Sequence, residues 1–198
     1  MKSFITLMAI LLSGAVTTQA QVLPLPQTSG GMALMQAMQE RKSSRDMDPN
    51  SKITNQEISN LLWAAWGITH DDKHTIGTAM NRQELSVYII TAQAISRYNP
   101  KANTLTRIAE GDFRNLVGMQ DFAQTAPLNI ALVVDTEKQN KVEFQAYSAA
   151  AASQNIYLYC ASAGLKTVVR AAFAQEPLAK AMKLGENEKI MFVQTVGR

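Results

Sequence analysis

The chain has 198 residues, 19 basic and 16 acidic side chains, and a formal net charge of +3 at pH 7. So small a positive excess argues against a nucleic-acid-binding or membrane-surface protein. A single cysteine excludes an intramolecular disulfide, so stability must come from a packed core or from a partner subunit. The hydrophobic fraction of 46% is typical of a globular domain.

Residues 1–20 have the layout of a signal peptide. Lys2 is the positive start, an apolar run from Phe4 to Leu12 follows, and small residues at Thr18 and Ala20 precede a cleavage site after Ala20. The run is too short to span a membrane, and no cysteine near the site could carry a lipid. We therefore expect an exported protein without a membrane anchor, periplasmic or secreted. Losing Lys2 with the leader would lower the net charge from +3 to +2.

A short basic stretch, Arg41-Lys42-Ser43-Ser44-Arg45, is the most distinctive feature of the next segment. We expect residues 21–31 to be extended. Apolar residues then recur at helical spacing at Met32, Leu34 and Met35, so the basic stretch falls at or just past a helix end. Guanidinium forks, an ammonium and hydroxyls would together suit a phosphate. The alternative is a solvated basic turn, and five residues alone do not decide between the two.

Two long helices are predicted. The first covers Ile53 to Gly67, because Thr54 and Glu57 form a capping-box pattern and Gly67 is a helix-ending residue. The second covers Glu143 to Ala163, where many alanines would let another backbone approach closely, in a central helix or at a dimer seam. Shorter helices are expected at 112–118, 120–125 and 177–182.

Strand-like segments lie between these helices, at Leu85–Thr91, Asn129–Asp135, Lys189–Val196 and, more briefly, Thr167–Val169. Helices and strands are interspersed without strict βαβ alternation, which predicts an α+β domain. The sequence has no Gly-x-Gly-x-x-Gly or Walker pattern, which argues against a Rossmann or P-loop nucleotide site.

Six segments in order resemble the flavin-dependent nitroreductase family. They are Arg41–Arg45, Ile58–Ile68, Thr78–Gln83 with the strand Leu85–Thr91, Ala126–Ile130, Ala151–Val169 and Gly185–Arg198. The resemblance implies a nitroreductase-like α+β fold over residues 32–198, with a central, mainly antiparallel sheet flanked by helices. It also implies a homodimer with two flavin mononucleotide (FMN) sites, each lined by both chains.

The resemblance assigns cofactor-binding roles to ten positions. They are Arg41, Lys42 and Ser43 at the phosphate, Arg45 near the pyrimidine edge of the flavin ring, Asn81 and Gln83 reaching the ring from the other subunit, Thr167, Val168 and Val169 through their backbone, and Arg198 closing over the phosphate. No catalytic side chain is implied, because the flavin itself carries the hydride.

The implied activity is FMN-dependent reduction of a nitroaromatic, a quinone or a similar small electron-poor acceptor. NADH or NADPH would deliver the hydride, and the acceptor would then enter the same slot in a ping-pong cycle. An exported protein meets little reduced nicotinamide, so the alternative is an exported flavin-binding electron carrier or a non-catalytic binding protein.

Other candidate residues admit simpler interpretations. The sequence His70-Asp71-Asp72-Lys73-His74 could ligate a metal but follows a helix end as a polar loop, and we predict no metal site. Cys160 lies in an alanine-rich helix without an adjacent cation, which favours an inert thiol. Trp63 and Trp66 fit a core stripe better than a ligand stack, whereas Arg170 could either approach the flavin or be solvated.

Overall fold

The computed structural model describes residues 20–198, so the predicted signal peptide lies outside the described residues except for Ala20. The α-helices in this part of the chain are α1 (Leu34–Glu40), α2 (Asn55–Trp66), α3 (Asp121–Thr125), α4 (Val142–Ala163) and α5 (Gln175–Ala181). The strands are β1 (Gln21–Val22), β2 (Ile68–His70), β3 (Lys73–His74), β4 (Leu85–Ile90), β5 (Ala94–Asn99), β6 (Thr104–Glu110), β7 (Leu128–Asp135), β8 (Lys166–Arg170) and β9 (Glu188–Gly197). Short 3-10 turns occupy Ala79–Asn81 and Arg114–Leu116.

Seven strands form one sheet in the order β1-β6-β5-β4-β7-β9-β8, while β2 and β3 form a separate hairpin. Every neighbouring pair is antiparallel. The central strands β4 and β7 are almost wholly buried, which explains their nearly continuous apolar sequences. The arrangement confirms the predicted α+β fold with an antiparallel sheet, and it leaves β8 at one edge.

Helices cover both faces of this sheet. On one face, α2 and α4 pack through Leu62 and Ile156 onto Ile130 and Leu132 of β7. On the other, the region around α3 and α5 packs onto alternate residues of the same strands, such as Val133. This alternation follows from the two-residue period of a strand. No helix within residues 20–198 is long and apolar enough to cross a membrane.

The two long helices begin and end close to the predicted positions. Thr54 and Glu57 make the reciprocal hydrogen bonds of a capping box at the start of α2. Gly164 ends α4 in the left-handed conformation, with φ of 66°, where a residue without Cβ is favoured. The helix predicted at 112–118 is wrong in extent, because a single 3-10 turn at Arg114–Leu116 takes its place.

Candidate flavin site

The basic stretch 41–45 follows α1 directly and lies against β8. The Ser44 N–H donates to the Thr167 carbonyl at 2.9 Å. The Tyr157 hydroxyl accepts a hydrogen bond from the Val169 N–H at 3.0 Å and lies 2.8 Å from the Ser43 hydroxyl. The structure therefore brings together two of the predicted segments, 41–45 and 167–169, which are more than 120 residues apart in sequence.

Positive charge is concentrated around this junction. The Arg41 guanidinium lies over the ring of Tyr157, 5.3 Å from its centroid, and Lys42 and Arg45 are exposed. A cavity of about 240 Å³ lies beside them and is lined in part by Lys42, Ser44 and Tyr157. These cationic and hydroxyl donors provide the chemistry that a phosphate requires.

Arg170, at the end of β8, is 9% exposed, so of the two alternatives that the sequence left open the solvated side chain does not hold. Its guanidinium donates to the Val117 carbonyl, to Asn129 Oδ1 at 3.2 Å and to Thr195 Oγ1. Its Nε has no partner, and no carboxylate within residues 20–198 forms an ion pair with it. Burial, and then the nearby charge of Arg45, lower the pKa of Arg170 to about 10.

These residues fit an anionic cofactor. A buried cation without a counter-ion is unfavourable unless hydrogen bonds or an anion compensate for it. Arg170 leaves one buried donor unused, and the charge of Arg45 acts on it from the basic stretch. Arg41 and Lys42 are two further cations in that stretch. A phosphate-bearing group such as FMN would supply negative charge to this region.

Asn81 and Gln83 lie elsewhere in the chain, beside the β2–β3 hairpin. Both have positive φ angles, of 53° and 50°. Gln83 Nε2 donates to the Asp72 carbonyl at 3.0 Å and to Asn81 Oδ1 at 3.3 Å. Within residues 20–198, no hydrogen bond joins these two side chains to the basic stretch. Within one chain the two predicted groups of residues therefore lie apart.

Arg198 is held at a third place. Its guanidinium forms an ion pair with Glu57 of α2, and its Nε donates to the Lys52 carbonyl at 3.3 Å. Burial would raise the pKa of Glu57, but hydrogen bonds from Thr54 and the charge of Arg198 outweigh it and lower that pKa. The Asp48 N–H donates to the Arg198 carbonyl at 2.7 Å, which keeps the residue near the end of the basic segment.

The other residues that the sequence singled out, Cys160, Trp63 and Trp66, are buried or half-buried within the fold. Cys160 is 1% exposed, and burial raises the pKa of its thiol, as expected for an inert cysteine. Trp66 is buried in the core, while Trp63 is half-buried and donates its Nε1–H to the Ile68 carbonyl. Within residues 20–198, no group of three or more metal-ligating side chains is found.

Sequence reasoning missed the role of Tyr157. Its hydroxyl is the link between Ser43 and β8, but within an alanine-rich helix it looks like one more core aromatic residue. Only the three-dimensional meeting of α4 with β8 shows otherwise. No local pattern could have found it.

Comparisons with known proteins agree with this fold. A crystal structure from Ralstonia eutropha JMP134 is 34% identical and superposes with a TM-score of 0.84, covering 92% of this chain and 90% of that one. A protein of Methanocaldococcus jannaschii is 24% identical over 80% of this chain and 87% of its own length. Both are named putative nitroreductases. A Desulfovibrio desulfuricans protein crystallised with FMN has the same fold at 16% identity, with a TM-score of 0.62 and coverage of 85% and 87%.

The profile of the nitroreductase family matches residues 38–198, from the end of α1 to the final arginine. The match includes the basic stretch, the β2–β3 hairpin with Asn81 and Gln83, and β8. The protein belongs to the nitroreductase family.

Proposed function

We propose that the protein is an FMN-dependent oxidoreductase that reduces nitroaromatic, quinone or similar small electron-poor acceptors. NADH or NADPH would be the donor in a ping-pong cycle. The observation that carries the proposal is the junction of the basic stretch with β8, through the Ser44–Thr167 and Ser43–Tyr157–Val169 hydrogen bonds. When bound, FMN would supply the hydride chemistry, so the chain's own residues need only bind, orient and exclude water.

Arg41, Lys42 and Ser43 would hold the FMN phosphate. The hydroxyl of Ser43 already has a partner in Tyr157, which fixes the position of the serine before a ligand arrives. Arg45, exposed beside them, would reach the ring, where a cation favours the anionic reduced form. The Val169 N–H already donates to the Tyr157 hydroxyl. A hydrogen bond from β8 to a nitrogen of the flavin ring would therefore come from the backbone of another β8 residue.

Arg198 could reach the phosphate only by leaving Glu57. Its side chain is 44% exposed in this ion pair. Glu57 is only 18% exposed, so this pair is partly buried, and a charge-assisted bond to phosphate would have to replace the one that Arg198 makes to Glu57. We therefore expect Arg198 to close over the phosphate only when the cofactor is bound.

A homodimer completes the proposed site. On α1, only Ala37 is buried, while Leu34, Met35 and Met38 are 61%, 76% and 48% exposed. The three share one helix face that leads directly into the basic stretch. A second subunit covering that face would remove apolar surface from water and could bring its own Asn81 and Gln83 towards the cofactor.

The experiment is an anaerobic reduction of the purified, leader-free protein, followed by absorbance. The proposal predicts flavin bands that NADH or NADPH bleaches and that a nitroaromatic or quinone then restores. Flavin bands that no nicotinamide bleaches would instead support an exported electron carrier. The predicted export is tested separately, by fractionation of the native host and sequencing of the mature N-terminus, where Gln21 is expected to be first.

A further inference from the structure

A separate cavity of about 340 Å³, here called the hairpin pocket, lies between the β2–β3 hairpin and the segment 75–83, which contains the 3-10 turn at Ala79–Asn81. The side chains that matter for its chemistry are Trp66, His70, Lys73, His74, Asn81 and Gln83. The volume is within the range of small-molecule sites. None of the cofactor-binding roles proposed above involves a residue of the β2–β3 hairpin itself.

One wall of the hairpin pocket is flat and aromatic. The rings of Trp66 and His74 are stacked, with centroids 3.5 Å apart and planes 6° apart. His74 Nδ1 lies 3.0 Å from the Trp66 carbonyl, and because a carbonyl can only accept, Nδ1 carries the proton. Burial lowers the pKa of His74, which keeps the stacked ring neutral near neutral pH. Because Trp66 is buried in the core, a planar aromatic ligand could extend this stack only on the outer face of the half-buried His74 ring.

The backbone around the hairpin pocket is strained. Asp71, Met80, Asn81 and Gln83 have φ angles between 50° and 54°, and they are four of the six non-glycine residues with positive φ within residues 20–198. The Gln83 N–H donates to Thr78 Oγ1 at 2.9 Å, and its side chain holds the hairpin through Asp72. Such strain persists only where the surroundings enforce it, and it concentrates at ligand clamps.

One cationic side chain, Lys73, lines the hairpin pocket and could pair with an anion. The ionisable side chains of the hairpin pocket, within the described part of the chain, are His70, Lys73 and His74, and none is acidic. The Asp72 carboxylate lies 3.5 Å from the Lys73 ammonium, with side chains 63% and 44% exposed. An exposed pair of this kind is weak, so a ligand carboxylate could replace Asp72 as the partner of Lys73.

We infer that the hairpin pocket binds the electron acceptor and selects a planar aromatic acceptor that carries a carboxylate. The inference rests on the proposed function, in which Asn81 and Gln83 contact the flavin of the other subunit. Those two residues line both the hairpin pocket and the proposed cofactor site, so an acceptor stacked there would lie next to the flavin ring. Lys73 then determines specificity, and the acceptor stacks on the face of His74 that points away from Trp66, with the buried Trp66 ring holding His74 in place.

The test uses a feature of the sequence: its only two histidines both line the hairpin pocket. In protein freed of any histidine tag, their Cε1–H proton resonances report occupancy without reference to turnover. We expect both resonances to shift saturably with 4-nitrobenzoate. The neutral isostere 4-nitrobenzamide should bind about three- to fivefold more weakly, the loss of one exposed ion pair.

Lys73→Gln should weaken 4-nitrobenzoate binding by the same factor and change the affinity for the amide less than about twofold. Lys138→Gln, an exposed lysine in the β7–α4 loop, is the matched control and should change neither. Unshifted histidine resonances, or an equal loss for acid and amide in Lys73→Gln, would overturn the inference. If the resonances shift but the protein binds no flavin, the proposed function fails while the ligand site stands.

Discussion

The contact between Gly118 and Arg170 allows a prediction worked directly from the structure. A Cβ added at Gly118 would lie 2.1 Å from an Arg170 guanidinium nitrogen and 3.3 Å from its Cζ, so the guanidinium must move. Moving it breaks bonds to the Val117 carbonyl and to the side chains of Asn129 and Thr195. Hydrogen bonds to charged groups contribute about 1.5–3 kcal/mol each, and overpacking costs about 1–3 kcal/mol. Partial relaxation should leave Gly118→Ala destabilised by about 2–4 kcal/mol.

Chemical denaturation of four proteins forms the assay: the wild type, Gly118→Ala, Arg170→Ala and the double variant. Once Arg170 is truncated, the added methyl group meets no guanidinium, so it should then cost less than about 0.5 kcal/mol. Gly185→Ala is the matched control, because a Cβ there meets only a Glu188 carboxylate oxygen at 3.8 Å. A loss below about 0.5 kcal/mol in Gly118→Ala, or simple additivity in the double variant, would show that Arg170 is not locked in place.

Three further predictions concern the binding site, the thiol and pH. Arg41→Ala should weaken FMN binding at least about tenfold in a fluorescence titration, because about 1.4 kcal/mol corresponds to one charge-assisted bond; unchanged affinity would remove Arg41 from the phosphate site. Cys160 should react with a disulfide reagent only after unfolding, since burial raises the pKa of its thiol; rapid labelling of native protein would contradict its burial. Glu57→Gln should cost about 1 kcal/mol at pH 7, because the amide can keep the capping hydrogen bond but loses the negative charge that faces the helix N-terminus and Arg198. Because folding lowers the pKa of Glu57, that difference should shrink as the pH falls below 4.5 and vanish once the carboxyl is protonated; a difference that does not depend on pH would exclude the carboxylate as its source.

The sequence predicted those parts of the fold whose signals are local. The capping box and Gly164 mark helix ends through contacts within a few residues, and β4 and β7 are apolar because helices cover both of their faces. Strands β5 and β6 were not predicted. They alternate buried residues with polar ones such as Arg97 and Arg107, and near the sheet edge only this weaker pattern remains.

In the candidate site, too, the sequence revealed the residues that are contiguous and not those that only the fold brings together. The basic stretch could be found because its residues are contiguous, and its place just after a helix is confirmed by α1. Arg170 could not be assigned, because its burial depends on a loop that contributes Val117 and on two neighbouring strands. The Trp66–His74 stack likewise needs the β2–β3 hairpin to fold back onto α2.

The measurement that tests the central claim most directly is a calorimetric comparison of FMN with riboflavin, which differs from it by the phosphate. If the basic stretch beside β8 holds that phosphate, the flavin-free protein should bind one FMN per chain, and riboflavin should bind at least about tenfold more weakly. Equal affinities for the two ligands, or no binding of FMN, would contradict the account.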